Sequence, residues 1–252
     1  MNKKCMAANW KMFKTRQEAE ETTRELMSLT AAKLPSDREV LLIPPFTAIA
    51  SVAATIGSKT GFGVGAQNFY PAENGAYTGE ISPDMLRDLG CSLALVGHSE
   101  RRHLFHEDNE FLAQKVRFGL ERGLNIILCI GETLNERKSG QLATILNKQL
   151  TSALSDIANT DIASRLAVAY EPVWAIGTGE VARTEDIREA HDFVRSELKT
   201  IFSSAADYIR ILYGGSVKPD NISEIIPLDN VDGVLVGGAS LQAESFSRIV
   251  LG

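Results

Sequence analysis

Glu171 stands where a short apolar run, Leu166 to Tyr170, stops, and Pro172 follows it at once. A proline pushes the residue before it out of the helical region, so Glu171 is presented at a strand end on extended backbone. A carboxylate held there can act as a general base. The residues that follow are Pro172-Val173-Trp174-Ala175-Ile176-Gly177-Thr178-Gly179. They are too apolar for an idle surface loop and too glycine-rich for a helix, which fits a lid beside a catalytic base. The alternative is a strand cap with a partly buried loop.

Other reactive side chains stand at similar boundaries. His98 follows the apolar run Leu93–Val96 and begins a helical region. Burial and a positive helix N-terminus both disfavour an imidazolium, leaving a neutral ring able to donate to a carbonyl oxygen and exchange a proton with it. A core histidine satisfying a backbone group is the competing account. Lys11, isolated at the end of the first apolar run, could neutralise an anion or a developing oxyanion, with Asn9 donating through its amide and fixing it. Each could equally be ordinary, a solvated lysine and a turn residue. Glu100 with Arg101 and Arg102 reads as an ion-pair cluster bracing the turn after His98, and a catalytic Glu100 is the lesser reading.

Gly214-Gly215-Ser216 and Gly237-Gly238 each follow a short apolar run. Amides unobstructed by side chains and placed before a helix N-terminus bind a phosphate dianion without a cationic side chain. Either pair alone could be a tight turn; both together fit a phosphate cradle. Gly177-Thr178-Gly179-Glu180-Val181-Ala182 spells a dinucleotide-binding pattern, but a proline-bearing loop rather than a strand precedes it, so that reading fails.

These groups need a scaffold that gathers them. The apolar runs are Cys5–Trp10, Glu39–Ile43, Phe62–Gln67, Leu93–Val96, Asn125–Ile130, Leu166–Tyr170, Tyr208–Tyr213 and Gly233–Val236. Helical patterns alternate with most of them, including one from His98 to about Arg122, one across Gln141–Ile157 and one over Thr184–Phe202. Continuous apolar strands fit parallel pairing covered on both faces. Eight such units without an internal linker predict one (β/α)8 barrel domain over residues 1–252. In that fold functional groups come from the C-terminal ends of strands, where all the residues named above lie. The segment Asn68–Ser82 is unlike the other connections: it is long, aromatic and carries an Asn74-Gly75 turn signal, so it is expected to be functional or to pack outside its own domain.

Composition narrows the partners. A net charge of -6 argues against sequence-independent binding to nucleic acid or an anionic membrane. No stretch approaches a membrane span. The three cysteines, Cys5, Cys91 and Cys129, are widely spaced in apolar runs, which fits reduced buried thiols of a cytoplasmic protein and supports neither a disulfide framework nor a metal site.

Ala7-Ala8-Asn9-Trp10-Lys11-Met12, Gly97 to Arg102, Tyr170 to Gly179, Tyr213 to Val217 and Gly237 to Ser240 together resemble the signature blocks of the triosephosphate isomerases, in order and across the whole chain. The resemblance implies an aldose-ketose isomerase of glycolysis and gluconeogenesis. It would interconvert dihydroxyacetone phosphate and glyceraldehyde 3-phosphate through an enediolate, with no cofactor and no metal. It implies Glu171 as base, His98 as electrophile, Lys11 and Asn9 as oxyanion-stabilising and substrate-binding groups, and Gly177, Ser216, Gly237 and Gly238 as phosphate ligands. It also implies a homodimer in which the Asn68–Ser82 loop, with Thr78 near its tip, inserts beside the partner's site. One departure lies past the lid, where Glu180 and Arg183-Thr184-Glu185 replace a more usual lysine and Thr-Pro pair, which puts the stiffness of that hinge in question. Two other readings compete: a non-enzymatic phosphosugar-binding barrel, and a retaining glycosidase using Glu100 and Glu171.

Overall fold

The apolar runs pair in sequence order and close on themselves. In a computed structural model describing residues 3–157, 162–176 and 180–252, the strands are β1 (Lys4–Asn9), β2 (Arg38–Ile43), β3 (Phe62–Ala66), β4 (Leu93–Val96), β5 (Asn125–Ile130), β6 (Leu166–Tyr170), β7 (Arg210–Tyr213) and β8 (Gly233–Val236). All pairs are parallel, and β1 meets both β2 and β8 to complete a closed barrel. Helices follow the strands and cover the outside, as expected of a (β/α)8 barrel.

Strand residues divide between two apolar layers. Cys5, Ala7, Leu41, Ile43, Leu95, Cys129 and Leu212 belong to a cluster within the barrel. Met6, Ala8, Val40, Leu42, Val96 and Leu128 pack outward in the larger cluster with the helices. Alternation between two buried faces is why these strands read as continuous apolar runs. The three cysteines are buried and free, and desolvation pushes the Cys5 thiol up to about 12.

Several boundaries differ from the sequence expectation. The region after His98 is two helices, Ser99–His103 and Asn109–Glu121. His106 between them takes a φ of 57°, and Asp108 caps the second through the Phe111 N–H. The seventh strand starts at Arg210, because Ser203–Tyr208 winds into a 3-10 turn. A further short helix, Leu134–Lys138, precedes Leu142–Leu154; Thr133 and Glu136 start it with a reciprocal capping box. Among the described residues no helix is long and apolar enough to cross a membrane.

His191, on the helix Thr184–Phe202, is fully buried behind the mouth. Its Nδ1 lies 2.8 Å from the Asn230 carbonyl oxygen, and its ring meets Tyr170 edge-on at 6.0 Å. Desolvation lowers its pKa from 6.5 to about 4. Between those values the unfolded chain binds a proton that the folded chain refuses, so this group's contribution is intact above 6.5 and is lost as pH falls toward 4. Replacing His191 with Gln should therefore flatten part of the acid side of the stability profile. Urea unfolding near neutrality and near pH 4.5 should show the wild-type advantage shrinking on acidification by roughly 3 kcal/mol at most.

Candidate active site

The barrel mouth opens into a cavity of ≈ 480 Å³ lined by Asn9, Lys11, His98, Glu100, Glu171 and both glycine pairs. Residues from β1, β4, β6, β7 and β8 thus converge where sequence placed them. Gly177, Thr178 and Gly179 lie outside the described residues.

Glu171 is only 2% exposed. Its Oε2 accepts from the Ser99 N–H at 3.0 Å, and its Oε1 lies 3.2 Å from His98 Nε2. His98 Nδ1 accepts the Glu100 N–H at 3.3 Å, where His98 caps its helix. An accepting Nδ1 carries no proton, so the neutral tautomer has its hydrogen on Nε2, facing Glu171. The pair thus sets a buried carboxyl group against the ring Nε2, with Glu100 Oε2 3.7 Å from Nδ1 on the other side.

Lys11 takes a φ of 52°, and Asn9 Oδ1 accepts its backbone N–H at 3.0 Å. Gln67 holds the same turn by donating to the carbonyls of Lys11 at 2.8 Å and Ile43 at 3.0 Å. The Lys11 Nζ reaches Glu100 Oε1 at 2.7 Å. A Cβ on Gly237 would lie 3.3 Å from Lys11 Cε, so the lysine stem runs against the second glycine pair. Asn9 thus fixes Lys11 through the backbone, and its carbonyl oxygen does so rather than its amide nitrogen.

The ion-pair cluster expected at Glu100-Arg101-Arg102 is distributed differently. Glu100 pairs with Lys11, and Arg101 with Glu107 at 2.7 Å. Arg102 donates to the backbone carbonyls of Gly97 at 2.8 Å and Cys129 at 3.0 Å. The glycine pairs also depart from expectation. The helix after Ser216 begins only at Ile222, and Gly237-Gly238 leads into a 3-10 turn, Gly238–Ser240. Their amides are presented by loops and a single tight turn instead of by regular α-helix N-termini.

Two residues that brace the site without lining its cavity were missed. Glu132, beyond the end of β5, is fully buried. Its Oε1 accepts from Tyr170 OH at 3.1 Å and Trp174 Nε1 at 2.8 Å, while its carbonyl accepts the Val173 N–H at 3.1 Å. Burial raises its pKa, opposed by those side-chain bonds. A carboxylate at a strand end was the available signal. Gln149 bonds to both backbone groups of Gly131; a polar residue beside Leu146 and Leu150 was its only trace. Among the described residues no group of three or more His, Cys, Asp or Glu side chains could hold a metal ion.

A family model described as triosephosphate isomerase matches residues 4–251. The triosephosphate isomerase of Oleidesulfovibrio alaskensis is 59% identical over 249 residues, covering 99% of each chain. That of Nitratidesulfovibrio vulgaris (strain DP4) is 57% identical over 249 residues with the same coverage, and that of Chloroflexus aurantiacus 46% over 246 residues, covering 97% of each.

Two glycines make the site geometry testable. A Cβ on Gly131 would fall 1.8 Å from the Glu171 carbonyl oxygen, whereas one on Gly238 meets nothing within 4 Å. Gly131→Ala should cost about 3 kcal/mol or more of stability and Gly238→Ala less than about 0.5 kcal/mol, measured by urea unfolding.

Proposed function

This chain belongs to the triosephosphate isomerase family, and on that premise we propose how its own residues divide the work. The chain interconverts dihydroxyacetone phosphate and glyceraldehyde 3-phosphate, an aldose-ketose isomerisation of glycolysis. In our reading Glu171 takes a proton from the carbon next to the carbonyl, and His98 polarises the carbonyl oxygen through a hydrogen bond from its Nε2–H. The resulting enediolate exchanges protons between its two oxygens through the His98 ring. Glu171 then returns a proton to the adjacent carbon, so no proton is gained or lost overall. The observation that carries this reading is the buried Glu171–His98 pair at 3.2 Å, with Nδ1 of His98 occupied as an acceptor.

Substrate entry has a clear electrostatic consequence. A carbonyl oxygen that accepts from His98 Nε2 takes over the bond now aimed at Glu171 Oε1, which frees a carboxylate oxygen for carbon. Lys11, held at the mouth by Glu100 and the Asn9 turn, faces the negative charge of the enediolate and phosphate. Ser216, Gly237 and Gly238 hold the phosphate through backbone amides, and Gly177 joins them from the lid. Residues Pro172 to Gly179 close over the site and keep the enediolate from expelling phosphate. The glycosidase reading leaves the glycine pairs without a task, and a mere binding protein has no need of a buried carboxylate aimed into the cavity.

The same reading makes residues 1–252 one barrel domain, acting as a homodimer in the cytoplasm. Arg38 of β2 supports the single unit by donating to the Gly252 carbonyl at 2.6 Å. The buried reduced thiols suit a reducing compartment. Met12, Phe13, Tyr77, Leu104 and Phe105 are exposed apolar side chains of the loops around the mouth, a composition that suits a protein interface. Thr78 is exposed on the long loop. That loop is braced at its base by Lys115, which donates to Asn68 and Glu107 at 2.6 Å each. The Tyr70 and Tyr77 rings meet within it at 4.6 Å, tilted by 38°.

Two experiments test this. In a coupled assay with glyceraldehyde 3-phosphate, Glu171→Asp should bind normally and turn over roughly 100-fold more slowly, because the shorter arm misplaces the carboxylate. Glu171→Ala should lose about 1000-fold or more, and normal turnover by that variant would sink the assignment. Sedimentation at low concentration should find a dimer of the 27.4 kDa chain; a stable, fully active monomer would refute the loop-insertion arrangement.

A further inference from the structure

We infer that Gln149 is a positioning residue for the isomerisation, acting through the Gly131 peptide on base and lid together; this rests on the assignment of Glu171 as base and of Trp174 to the lid. Gln149 lies on the helix Leu142–Leu154 beside buried Leu146 and Leu150, where an apolar residue is the ordinary occupant. Its carboxamide is engaged on both sides by one residue. Oε1 accepts the Gly131 N–H at 2.8 Å, and Nε2 donates to the Gly131 carbonyl at 3.1 Å.

That clasp continues the barrel where its ladder ends. The β5–β6 pairing finishes with the Glu171 N–H on the Ile130 carbonyl at 2.7 Å. Gly131 is the next residue, and a helix side chain serves its backbone. The Gly131 backbone runs against the main chain of Glu171 so closely that no Cβ fits between them. One residue further, Glu132 holds the Val173 N–H, the Tyr170 hydroxyl and the Trp174 indole. Fixing both polar groups of Gly131 stops the flanking peptide planes from rotating. Gln149 therefore sets the surface on which the Glu171 main chain rests and the direction in which Glu132 leaves the strand. An apolar chain of equal length would fill the same space, so packing does not call for an amide there; the clasp does.

The test compares Gln149→Met and Gln149→Glu with Glu171→Ala and wild type, all full length, using glyceraldehyde 3-phosphate. Methionine keeps the volume and loses both hydrogen bonds. Its kcat should fall about 10-fold or more with KM within about threefold, since the phosphate ligands are elsewhere, and a larger share of turnovers should release inorganic phosphate. Glutamate can restore the clasp only when protonated, because a carboxylic acid both donates and accepts while a carboxylate only accepts. The ratio of Gln149→Glu to wild-type kcat should thus rise as pH is lowered from about 8 to about 5.5, while the Gln149→Met ratio stays flat. A Gln149→Met kcat within about twofold of wild type overturns the proposal. So does a loss of kcat in Gln149→Glu that ignores pH, the mark of a purely structural role. If the methionine variant does not fold, the pH response of the glutamate variant decides alone. Normal turnover by Glu171→Ala would instead locate the failure in the base assignment beneath the proposal.

Discussion

The buried carboxylate of Glu171 sets the terms for the rest of the mouth. Taking a charge out of water is costly unless hydrogen bonds replace the hydration. Here the replacements are the Ser99 N–H and His98 Nε2, both from the segment after β4. The end of β6 that carries Glu171 continues alongside the end of β5. Close approach there demands space on both sides. Gly131 supplies it on the β5 side, and Gly214 on the β7 side, where a Cβ would lie 2.9 Å from the Glu171 Cγ. Gly131 makes room for the main chain of Glu171 and Gly214 for its side chain, so neither is a simple turn.

The same place is where the barrel ladder runs out of strand partners. Backbone groups left there still need hydrogen bonds when buried. Side chains provide them: Arg102 for Gly97 and Cys129, Gln67 for Lys11 and Ile43, Trp10 for the Ser240 carbonyl at 3.1 Å, and Gln149 for Gly131. Each such bond fixes a loop that carries or abuts a reacting group. A frayed strand end would satisfy its backbone with water and leave those groups unaligned. Precision at the mouth therefore comes from polar side chains outside the reaction, set on helices and strand ends that the apolar core holds rigid.

This explains what could be read from the chain. Strands buried on both faces announce themselves as apolar runs, and β4, β5, β6 and β8 have the bounds expected from sequence. Glu171, His98, Lys11 and the glycine pairs were legible because each breaks an apolar pattern at a strand end. Arg101 and Arg102 looked like partners for adjacent Glu100, but Arg101 binds Glu107 and Arg102 binds Asn109 and the carbonyls of Gly97 and Cys129. Local charge pattern carries no information about such contacts. Gln149 left only a faint trace for the same reason: its partner is a backbone, which has no sequence signature. The single helix expected after His98 divides because residues near His106 and Asp108 favour a turn and a new cap over continued apolar periodicity.

The segment leading into the helix Thr184–Phe202 is restrained by ion pairs rather than by a ring. A proline there would stiffen the chain by restricting φ near −65°. This chain has Arg183-Thr184-Glu185 instead, with Arg183 as the N-cap at a φ of -72°. Asp186 supplies the restraint, accepting the Arg183 N–H at 3.1 Å and its guanidinium Nε at 3.1 Å. The Arg183 guanidinium, ahead of burial and the other hydrogen bonds, holds the Asp186 carboxyl below its usual range. Arg137, on the short helix that follows Glu132, binds the same carboxylate at 2.9 Å. Trp174 and Asp186 are thus tied to one connection after β5: Glu132 grips Trp174, and Arg137 grips Asp186. An ion pair shared between loops tolerates small changes of distance that a proline's fixed dihedral does not. The Arg183–Asp186 segment is held from the side, by the connection that also carries Gly131 beneath Glu171.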